Sequence, residues 1–490
     1  MKNIKKLFAA LTAFSIVGSL AACSGGDSES GANNTPDDTT TAAEVTTTPA
    51  ATVPTNTETL SSEQEEQMSG AVDMLIEEAP ANNKIKWFSF YDSFHPNSSG
   101  NTKALCLELF EDKYNGEIEY VETTWQNRFN DMSTKIIGGE GIDFCPGGDL
   151  DSFPRGVPNG QYQAFDDYMN WDNPLWAEQK SLNDKFVLGD KHYIICTQAT
   201  GGQVVIYNRA TIEAMGMDDP AELFAKGEWT WDTFRSMLLD YCDPDAEQYG
   251  LDGWFNEQPL MLTCGVPSLE MRDGKLVHNI NDPTLERVMN FMYGLNTSGL
   301  VLDKNLFGWS EHPEFIGEGK ELFYICGTYT IESSPDIWTE TYGNQEDVMF
   351  VPLPKDPEAD KYYLPAGLEA YMLCKGAQNP EGVMRFMECV MAANGDEGAQ
   401  QVALEKKKAD CGWSDEMIEM QQTLIEMSRE NPVYDLHSGG PLDLYNILDS
   451  GDYGIRAAFA GVEWATVREE LSGVCDTYVD EFNSQVEAMA

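Results

Sequence analysis

Short apolar runs alternate with longer segments of helical periodicity along the first part of this chain. This alternation limits the folds that the chain can adopt. Residues 85–91, 118–121 and 142–145 are short apolar runs, and each has the length of a buried strand. Residues 103–114 and 125–137 lie between these runs and repeat apolar side chains at helical spacing. Strand, helix, strand, helix, strand predicts an α/β fold with parallel strands and right-handed crossovers.

The same alternation continues towards the C-terminus. The predicted strands are 204–207, 322–326 and 371–374, and the predicted helices are 231–241, 285–296, 381–391, 414–430 and 462–489. Thr230 is a candidate N-cap, and Asp282-Pro283 and Asn379-Pro380 precede two of the helices. The segment that follows Asn83 is too long for one hydrophobic core, so we expect two lobes of about 200 residues each.

The N-terminal segment is typical of an exported protein. Lys2, Lys5 and Lys6 precede the apolar run 7–17, and Leu-Ala-Ala stands directly before Cys23. This arrangement looks like a bacterial lipoprotein signal over residues 1–22, with cleavage before Cys23 and lipidation of its thiol. The alternative is a plain secretory signal in which Cys23 is incidental.

Residues 23–83 are rich in Thr, Ser, Ala, Gly and acidic side chains and hold no Lys or Arg. A segment of this composition buries little apolar surface, so we expect a disordered tether, with a weakly amphipathic stub within 60–78. Past the signal, no apolar run reaches the roughly 18 residues needed to span a bilayer. The sequence predicts a protein that is anchored to the outer face of the cell membrane by lipid alone.

The chain has 82 acidic residues against 31 Lys and Arg, which gives a formal net charge of −51. Nucleic-acid affinity comes mostly from Lys and Arg, so we expect no nucleic-acid partner. Ten cysteines besides Cys23 are scattered without a CxxC pair, and several stand within apolar runs. They are either buried free thiols or disulfides whose pairing the sequence does not define.

Motifs for nucleotide, metal and nucleophilic chemistry are absent from the sequence. The chain has no GxGxxG before a helix, no GxxxxGK[ST], no GxSxG and no HExxH. Its five His are far apart, so we expect no metal, no cofactor and no catalytic residues. A pair of carboxylates for glycoside hydrolysis stays open, because 82 acidic residues are present.

Several short motifs follow one another in a fixed order along the chain. They include Gly-Gly-Gln-Val-Val-Ile-Tyr-Asn-Arg (201–209), Trp-Thr-Trp-Asp-Thr-Phe (229–234), Phe-Ile-Gly-Glu-Gly-Lys (315–320) and Leu-Pro-Ala-Gly (364–367). In order and spacing, these motifs resemble the sugar-type extracellular solute-binding proteins (family one) of ABC importers. The resemblance covers most of residues 84–490.

The resemblance implies a periplasmic-binding-protein-like fold, with two mostly parallel sheets flanked by helices and joined by a hinge. Lobe one would hold residues 84–198 and 368–412, and lobe two residues 199–367 and 413–490. The lobes would close on a solute, in this family a carbohydrate, and deliver it to the permease subunits of an ABC transporter. The alternatives are a secreted carbohydrate-active hydrolase, a binding protein for a peptide or other non-sugar ligand, and a sensor without a transporter.

The resemblance places the ligand between the lobes, where aromatic faces stack on sugar rings and polar side chains bind hydroxyls. The candidates on lobe one are Tyr91, Asp92, Trp125, Asp149 and Phe153; those at the hinge are Gln198 and Gln203; those on lobe two are Trp254, Phe255 and Tyr329. The alternatives are purely structural roles. Tyr91 would lie in the core and Asp92 would cap a turn, and Trp125 would form the hydrophobic staple at the N-terminus of the next helix. Gln198 and Gln203 would only hold the crossing strands together.

Overall fold

The computed structural model describes residues 60–96, 102–253, 257–308, 310–450 and 454–489. The strands are β1 (Lys84–Ser89), β2 (Glu117–Glu122), β3 (Phe144–Pro146), β4 (Tyr162–Gln163), β5 (Val187–Leu188), β6 (Lys191–His192), β7 (Ile194–Thr200), β8 (Gln203–Asn208), β9 (Tyr249–Gly253), β10 (Leu269–Arg272), β11 (Lys275–His278), β12 (Glu321–Gly327), β13 (Val348–Pro352), β14 (Leu364–Pro365), β15 (Gly367–Cys374) and β16 (Pro432–Val433).

Helices accompany these strands along the described chain. They are α1 (Ser62–Gln67), α2 (Ser69–Met74), α3 (Leu105–Tyr114), α4 (Arg128–Gly138), α5 (Lys180–Asn183), α6 (Arg209–Ala214), α7 (Pro220–Ala225), α8 (Trp231–Tyr241), α9 (Glu257–Leu262), α10 (Pro283–Thr297), α11 (Glu314–Glu318), α12 (Pro335–Tyr342), α13 (Pro380–Gly395), α14 (Glu397–Cys411), α15 (Asp415–Glu430), α16 (Leu442–Leu448) and α17 (Trp464–Glu487).

Two sheets form the framework of the fold. The first has six strands in the order β2-β1-β3-β15-β4, with β7 also paired to β15, and we call this sheet with its helices lobe one. The second has four strands in the order β13-β8-β12-β9, and we call it with its helices lobe two. The α/β fold expected from the alternation of strands and helices is confirmed.

Both sheets are mixed, with fewer parallel pairs than the alternation predicts. In lobe one, β1 is parallel to β2 and β3, whereas β15 is antiparallel to β3, β4 and β7. In lobe two, β9 and β12 are parallel, whereas β8 is antiparallel to β12 and β13. The strands β7, β8 and β15 lie next to the points where the chain passes from one sheet to the other. The direction in which the chain enters or leaves each sheet there makes these strands antiparallel to their neighbours.

The helix boundaries follow signals in the sequence. Thr230 accepts a hydrogen bond from the Thr233 backbone N–H (3.4 Å) and caps α8, and Asn379 accepts one from Gly382 (3.0 Å) and caps α13. Gly139, with φ 68°, ends α4 in the left-handed conformation that favours glycine. These local contacts explain why the predicted helices begin and end close to the expected residues.

Order begins earlier in the chain than the predicted end of the tether at residue 83. The helices α1 and α2 lie within residues 62–74, and the side chains of Met68, Ala71 and Leu75 are buried in the core of lobe one. Together they form a short apolar stripe within an acidic segment, and α2 packs against α13 and α14. Burial of this stripe offsets the entropy that ordering the segment costs.

The ten cysteines within the described ranges are all free thiols, and all except the half-buried Cys242 are buried. Of the two interpretations that the sequence left open, the structure favours buried free thiols. Among the described residues, no helix combines the length and the apolar character that crossing a membrane requires.

Candidate functional site

The carboxyl ends of the parallel strands of lobe one carry a group of aromatic side chains. Tyr91 follows β1 and is 45 % exposed, and Trp125 follows β2 and is 41 % exposed. Phe90 lies between them, with its ring centroid 4.6 Å from that of Tyr91 and 4.9 Å from that of Trp125. This edge of a sheet is where such folds bind ligands. Tyr91 is therefore not a core residue, and two large rings are open to solvent here.

Asp149 lies near these rings, on the loop after β3. A Cβ at Gly148 would collide with the carbonyl oxygen of Leu368, so glycine lets this loop pack directly against β15. The Asp149 side chain is open to solvent. Burial by the surrounding protein, together with the charge of Asp151, nevertheless raises the pKa of Asp149 to about 6. A carboxyl group that is both solvent-accessible and partly desolvated is typical of a cleft.

Tyr329 occupies the corresponding place on lobe two. It stands in a 3₁₀ turn, Thr328–Ile331, directly after β12, and its side chain is 59 % exposed. Its ring lies over the backbone of Gly327, where a Cβ would collide with it. Burial, Cys326 and the charge of Asp149 raise the pKa of Tyr329 to about 12. Asp149 follows a strand of the other lobe, so its charge acts on Tyr329 from the neighbouring sheet.

One of the crossing segments lies next to the Tyr329 turn. β7 and β15 pair antiparallel, with Gln198 opposite Glu369, and Gln203 at the start of β8 is opposite Gly327. The Gln203 Oε1 atom is buried and has no hydrogen-bond partner among the described residues. The side-chain amide of Gln203 thus belongs to the strand beside the Tyr329 turn and keeps a free acceptor.

Arg128 is a cleft residue that the sequence analysis missed. Its guanidinium lies 3.5 Å from the centroid of the Trp125 ring, and its Nε donates to Asp151 (3.1 Å). Arg128 and Asp151 also line a small cavity together with Phe90 and Asp149. One face of Trp125 is therefore covered by a cation that Asp151 holds in place. The three-residue spacing between Trp125 and Arg128 was the available signal, because the turn over residues 125–127 brings the two side chains together.

Two predicted site residues have other roles. Phe153 is fully buried, with its ring centroid 6.2 Å from that of Phe186, so it is a core residue and not a stacking platform. Asp92 accepts hydrogen bonds from the backbone of Phe94 (3.1 Å) and His95 (3.2 Å), so the alternative that it caps a turn holds. Burial opposes the charged form of Asp92, but hydrogen bonds from His95 and Phe94 lower its pKa overall.

The remaining candidates divide into two groups. The first group stands on loops and turns that follow strands, or on the crossing strands: Tyr91, Trp125, Asp149, Gln198, Gln203 and Tyr329. Trp254, Phe255 and Cys23 lie outside the described residues. Within the described ranges, no group of three or more His, Cys, Asp or Glu side chains is placed to hold a metal ion.

Two sheets with their helices, and the strands at which the chain crosses between them, define a two-lobed α/β fold. The comparison with known families makes the class specific. Residues 95–275 match the family described as bacterial extracellular solute-binding protein. This match confirms the resemblance seen in the sequence, and the family is one of binding proteins rather than enzymes.

Solved structures share the fold at low sequence identity. An ABC substrate-binding protein from Listeria monocytogenes, in complex with cycloalternan, has a TM-score of 0.58 and 14% identity over 80% of this chain and 98% of that one. The ABC-transporter-associated binding protein from B. animalis subsp. lactis Bl-04, in complex with beta-1,6-galactobiose, has a TM-score of 0.55 and 14% identity over 82% and 98%. The extracellular solute-binding protein from Staphylococcus aureus, in complex with maltose, has a TM-score of 0.55 and 12% identity over 82% and 99%. No curated protein sequence matches this chain.

Proposed function

We propose that this protein is a cell-surface receptor that binds a carbohydrate between its two lobes and delivers it to the permease of an ABC importer. The observation that carries the proposal is that exposed aromatic side chains follow strands of both sheets, and that a solvent-accessible carboxyl group, Asp149, follows a strand of lobe one. Tyr91 stands on lobe one and Tyr329 on lobe two. After burial, the charge of Asp149 contributes to the raised pKa of both tyrosines.

The chemistry of the cleft suits a sugar. The exposed rings of Tyr91, Trp125 and Tyr329 offer flat faces to the C–H surfaces of sugar rings at low cost in side-chain entropy. The solvent-accessible carboxylate of Asp149 suits hydroxyl donors. The structural neighbours named above hold cycloalternan, beta-1,6-galactobiose and maltose, which supports a carbohydrate ligand here as well.

Closure would occur about the crossing segments. Gly202 has φ 61°, and a Cβ there would collide with the Pro365 carbonyl oxygen, so the two crossings touch. Short segments that absorb changes in φ and ψ are typical hinges. The ligand would favour the closed state because it contacts both lobes at once, and the permease would recognise that state.

The receptor would act from the outer face of the membrane. Lipid chains on Cys23 would hold it there, since each buried CH₂ contributes about 0.8 kcal/mol and stable anchoring takes more than one chain. The Thr-rich and Ser-rich segment before α1 would let the lobes reach a permease. In a bacterial host, radiolabelled palmitate should label the wild-type protein and not a Cys23→Ala variant. Equal labelling of both proteins would contradict lipidation of Cys23.

A thermal-shift screen against neutral oligosaccharides, followed by calorimetry, tests the binding function. A ligand at 100 times its Kd stabilises the folded state by about 2.7 kcal/mol, which is readily measured. The ligand should be recovered unchanged after long incubation. Hydrolysis of the ligand would instead favour a carbohydrate-active enzyme, and a shift with peptides alone would contradict a carbohydrate ligand.

A further inference from the structure

The turn that presents Tyr329 ends at a carboxylate with three partners. The Glu332 Oε1 atom accepts hydrogen bonds from Thr328 Oγ1 (2.8 Å) and Gln421 Nε2 (3.4 Å). The same atom forms an ion pair with Lys407 Nζ (2.9 Å). Thr328 precedes Tyr329 and Glu332 follows it, so the carboxylate ties the two ends of the turn together and holds both to Lys407.

A tryptophan holds the same turn from a second direction. Trp413 is buried, and its Nε1 donates to the carbonyl oxygen of Ile331 (2.9 Å). Lys407 Nζ lies 4.6 Å from the centroid of the Trp413 ring. The Trp413 ring also packs on Phe350 of β13, with their centroids 5.4 Å apart. Lys407 is thus held over a rigid ring, which fixes the position of its ammonium group.

The helix that carries Lys407 contacts both lobes. Near the start of α14, Ala399 and Val402 are buried in the lobe-one core, and α14 packs against α1, α2 and α13. At its end, the Cys411 carbonyl oxygen accepts a hydrogen bond from Trp338 Nε1 (2.8 Å) on α12 of lobe two. The helix α14 therefore connects the lobes at a place separate from the β-strand crossings.

We propose that Glu332 is a positioning residue for ligand binding: through its ion pair with Lys407, it fixes the turn that presents Tyr329 and links that turn to α14. This inference rests on the proposed function, in which Tyr329 contacts the ligand. The ring of Tyr329 is largely exposed, so few neighbours fix it directly. Its orientation then depends on the turn, and a turn held in advance lowers the entropy that binding costs.

Affinity measurements test the link to Tyr329. Calorimetry with the oligosaccharide found in the screen should give about tenfold weaker binding for Glu332→Gln and for Lys407→Met, and no further loss when they are combined. Lys407→Arg should retain most of the affinity. In a Tyr329→Ala background, Glu332→Gln should have no additional effect. Equal losses in both backgrounds would show that Glu332 acts elsewhere, and would overturn the proposal.

Lys408→Met is the matched control. Lys408 is the next residue on α14 and pairs with Asp415 at an exposed position, away from the partners of Glu332. The substitution makes the same change of charge on the same helix. It should leave the affinity within about twofold of the wild type. A loss as large as that of Lys407→Met would assign the effect to the charge of α14 and contradict a specific role for Lys407.

Hydrogen exchange tests the positioning role without a ligand. In the unliganded protein, Lys407→Met and Glu332→Gln should increase amide exchange in residues 327–333, whereas Lys408→Met should not. Unchanged exchange in this segment would overturn the proposal even if the affinity falls. If the wild type binds no carbohydrate, the proposed function fails, and the role of Glu332 in holding the turn is then decided by the exchange result alone.

Discussion

Asp149 on lobe one and Tyr329 on lobe two interact electrostatically, although they stand in loops of different sheets. Burial and Cys326 raise the pKa of the Tyr329 hydroxyl to about 12, and the Asp149 carboxylate adds to this shift. Asp149 also contributes, after burial, to the raised pKa of Tyr91. The charge of one carboxylate thus acts on a tyrosine of each lobe.

Removal of the Tyr329 ring should weaken carbohydrate binding without unfolding the protein. Tyr329→Ala removes an exposed platform, so we expect affinity to fall by about 1–3 kcal/mol and thermal stability to change little. Calorimetry measures the first quantity and a melting curve the second. Tyr168→Ala, which removes another exposed ring on the loop after β4, is the control; an equal loss of affinity there would contradict a specific role for Tyr329.

Asp149 should make stability depend on pH in the acidic range. Its ordinary pKa is 3.8, and in the folded state burial and Asp151 raise it to about 6, so folding favours the protonated form. The stabilisation is therefore present below about pH 4 and is lost as the pH rises through 6. The Asp149→Asn variant should not show this loss of unfolding free energy. We expect the loss in the wild type to be about 1 kcal/mol, because solvent screens the exposed side chain.

Urea titrations of the wild type and the Asp149→Asn variant at pH 4, 5, 6 and 7 measure this difference. The two unfolding free energies should diverge as the pH rises, with the variant the more stable at pH 7. Parallel curves over the whole range would contradict the raised pKa of Asp149.

The extent to which the sequence predicted this cleft differs from residue to residue. Tyr91 and Phe153 both follow a strand of lobe one, yet the first is exposed and the second is fully buried. The local sequence does not distinguish these two residues. Which side of each loop faces the core depends on β15, which lies more than 200 residues further along the chain. The strands and helices were predictable because hydrophobic periodicity and capping are local.

Contacts between distant segments could not be predicted. Lys407 and Glu332 meet because α14 extends from one lobe to the other, and Glu369 lies opposite Gln198 because β15 pairs with β7. No spacing in the sequence encodes either contact. The antiparallel direction of β15 has the same origin, and it explains why the sheets are mixed although strands and helices alternate along the chain.

A buried carboxyl group in lobe two, Glu321, should also respond to pH. Glu321 is fully buried, and its carboxylate oxygens have no hydrogen-bond partner among the described residues. Asp252 is buried as well and forms an ion pair with Lys304 (3.4 Å). Burial, and then the charge of Asp252, raise the pKa of Glu321 well above its ordinary value of 4.5. Folding therefore favours protonated Glu321, and stability is lost as the pH rises above 4.5 towards the folded pKa.

Glu321→Gln should imitate the protonated acid. We expect unfolding free energies close to those of the wild type near pH 4 and higher than those of the wild type at pH 8, measured by chemical denaturation. Glu346→Gln, on an exposed turn, should leave the pH dependence unchanged. A variant that is less stable than the wild type by the same amount at every pH would contradict protonation of Glu321.

The ten described cysteines should react only after unfolding. All are free, nine are buried, and burial raises the pKa of several, including Cys326 to about 11, so thiolate is scarce in the native state. Peptide mapping after iodoacetamide treatment without reductant should show these cysteines labelled in the denatured protein and largely unlabelled in the native one. A disulfide-linked peptide among them would contradict this account.

Closure of the two lobes on a carbohydrate is tested most directly by a distance between them. Ile137 on lobe one is 87 % exposed and Leu306 on lobe two is 64 % exposed, so Cys introduced at both can carry spin labels, while nine of the ten described native thiols are buried and the half-buried Cys242 is replaced by Ser. Pulsed electron paramagnetic resonance should show a shift in the distance distribution that saturates with the oligosaccharide at the concentration given by calorimetry. An unchanged distribution in the fully bound protein would contradict the account.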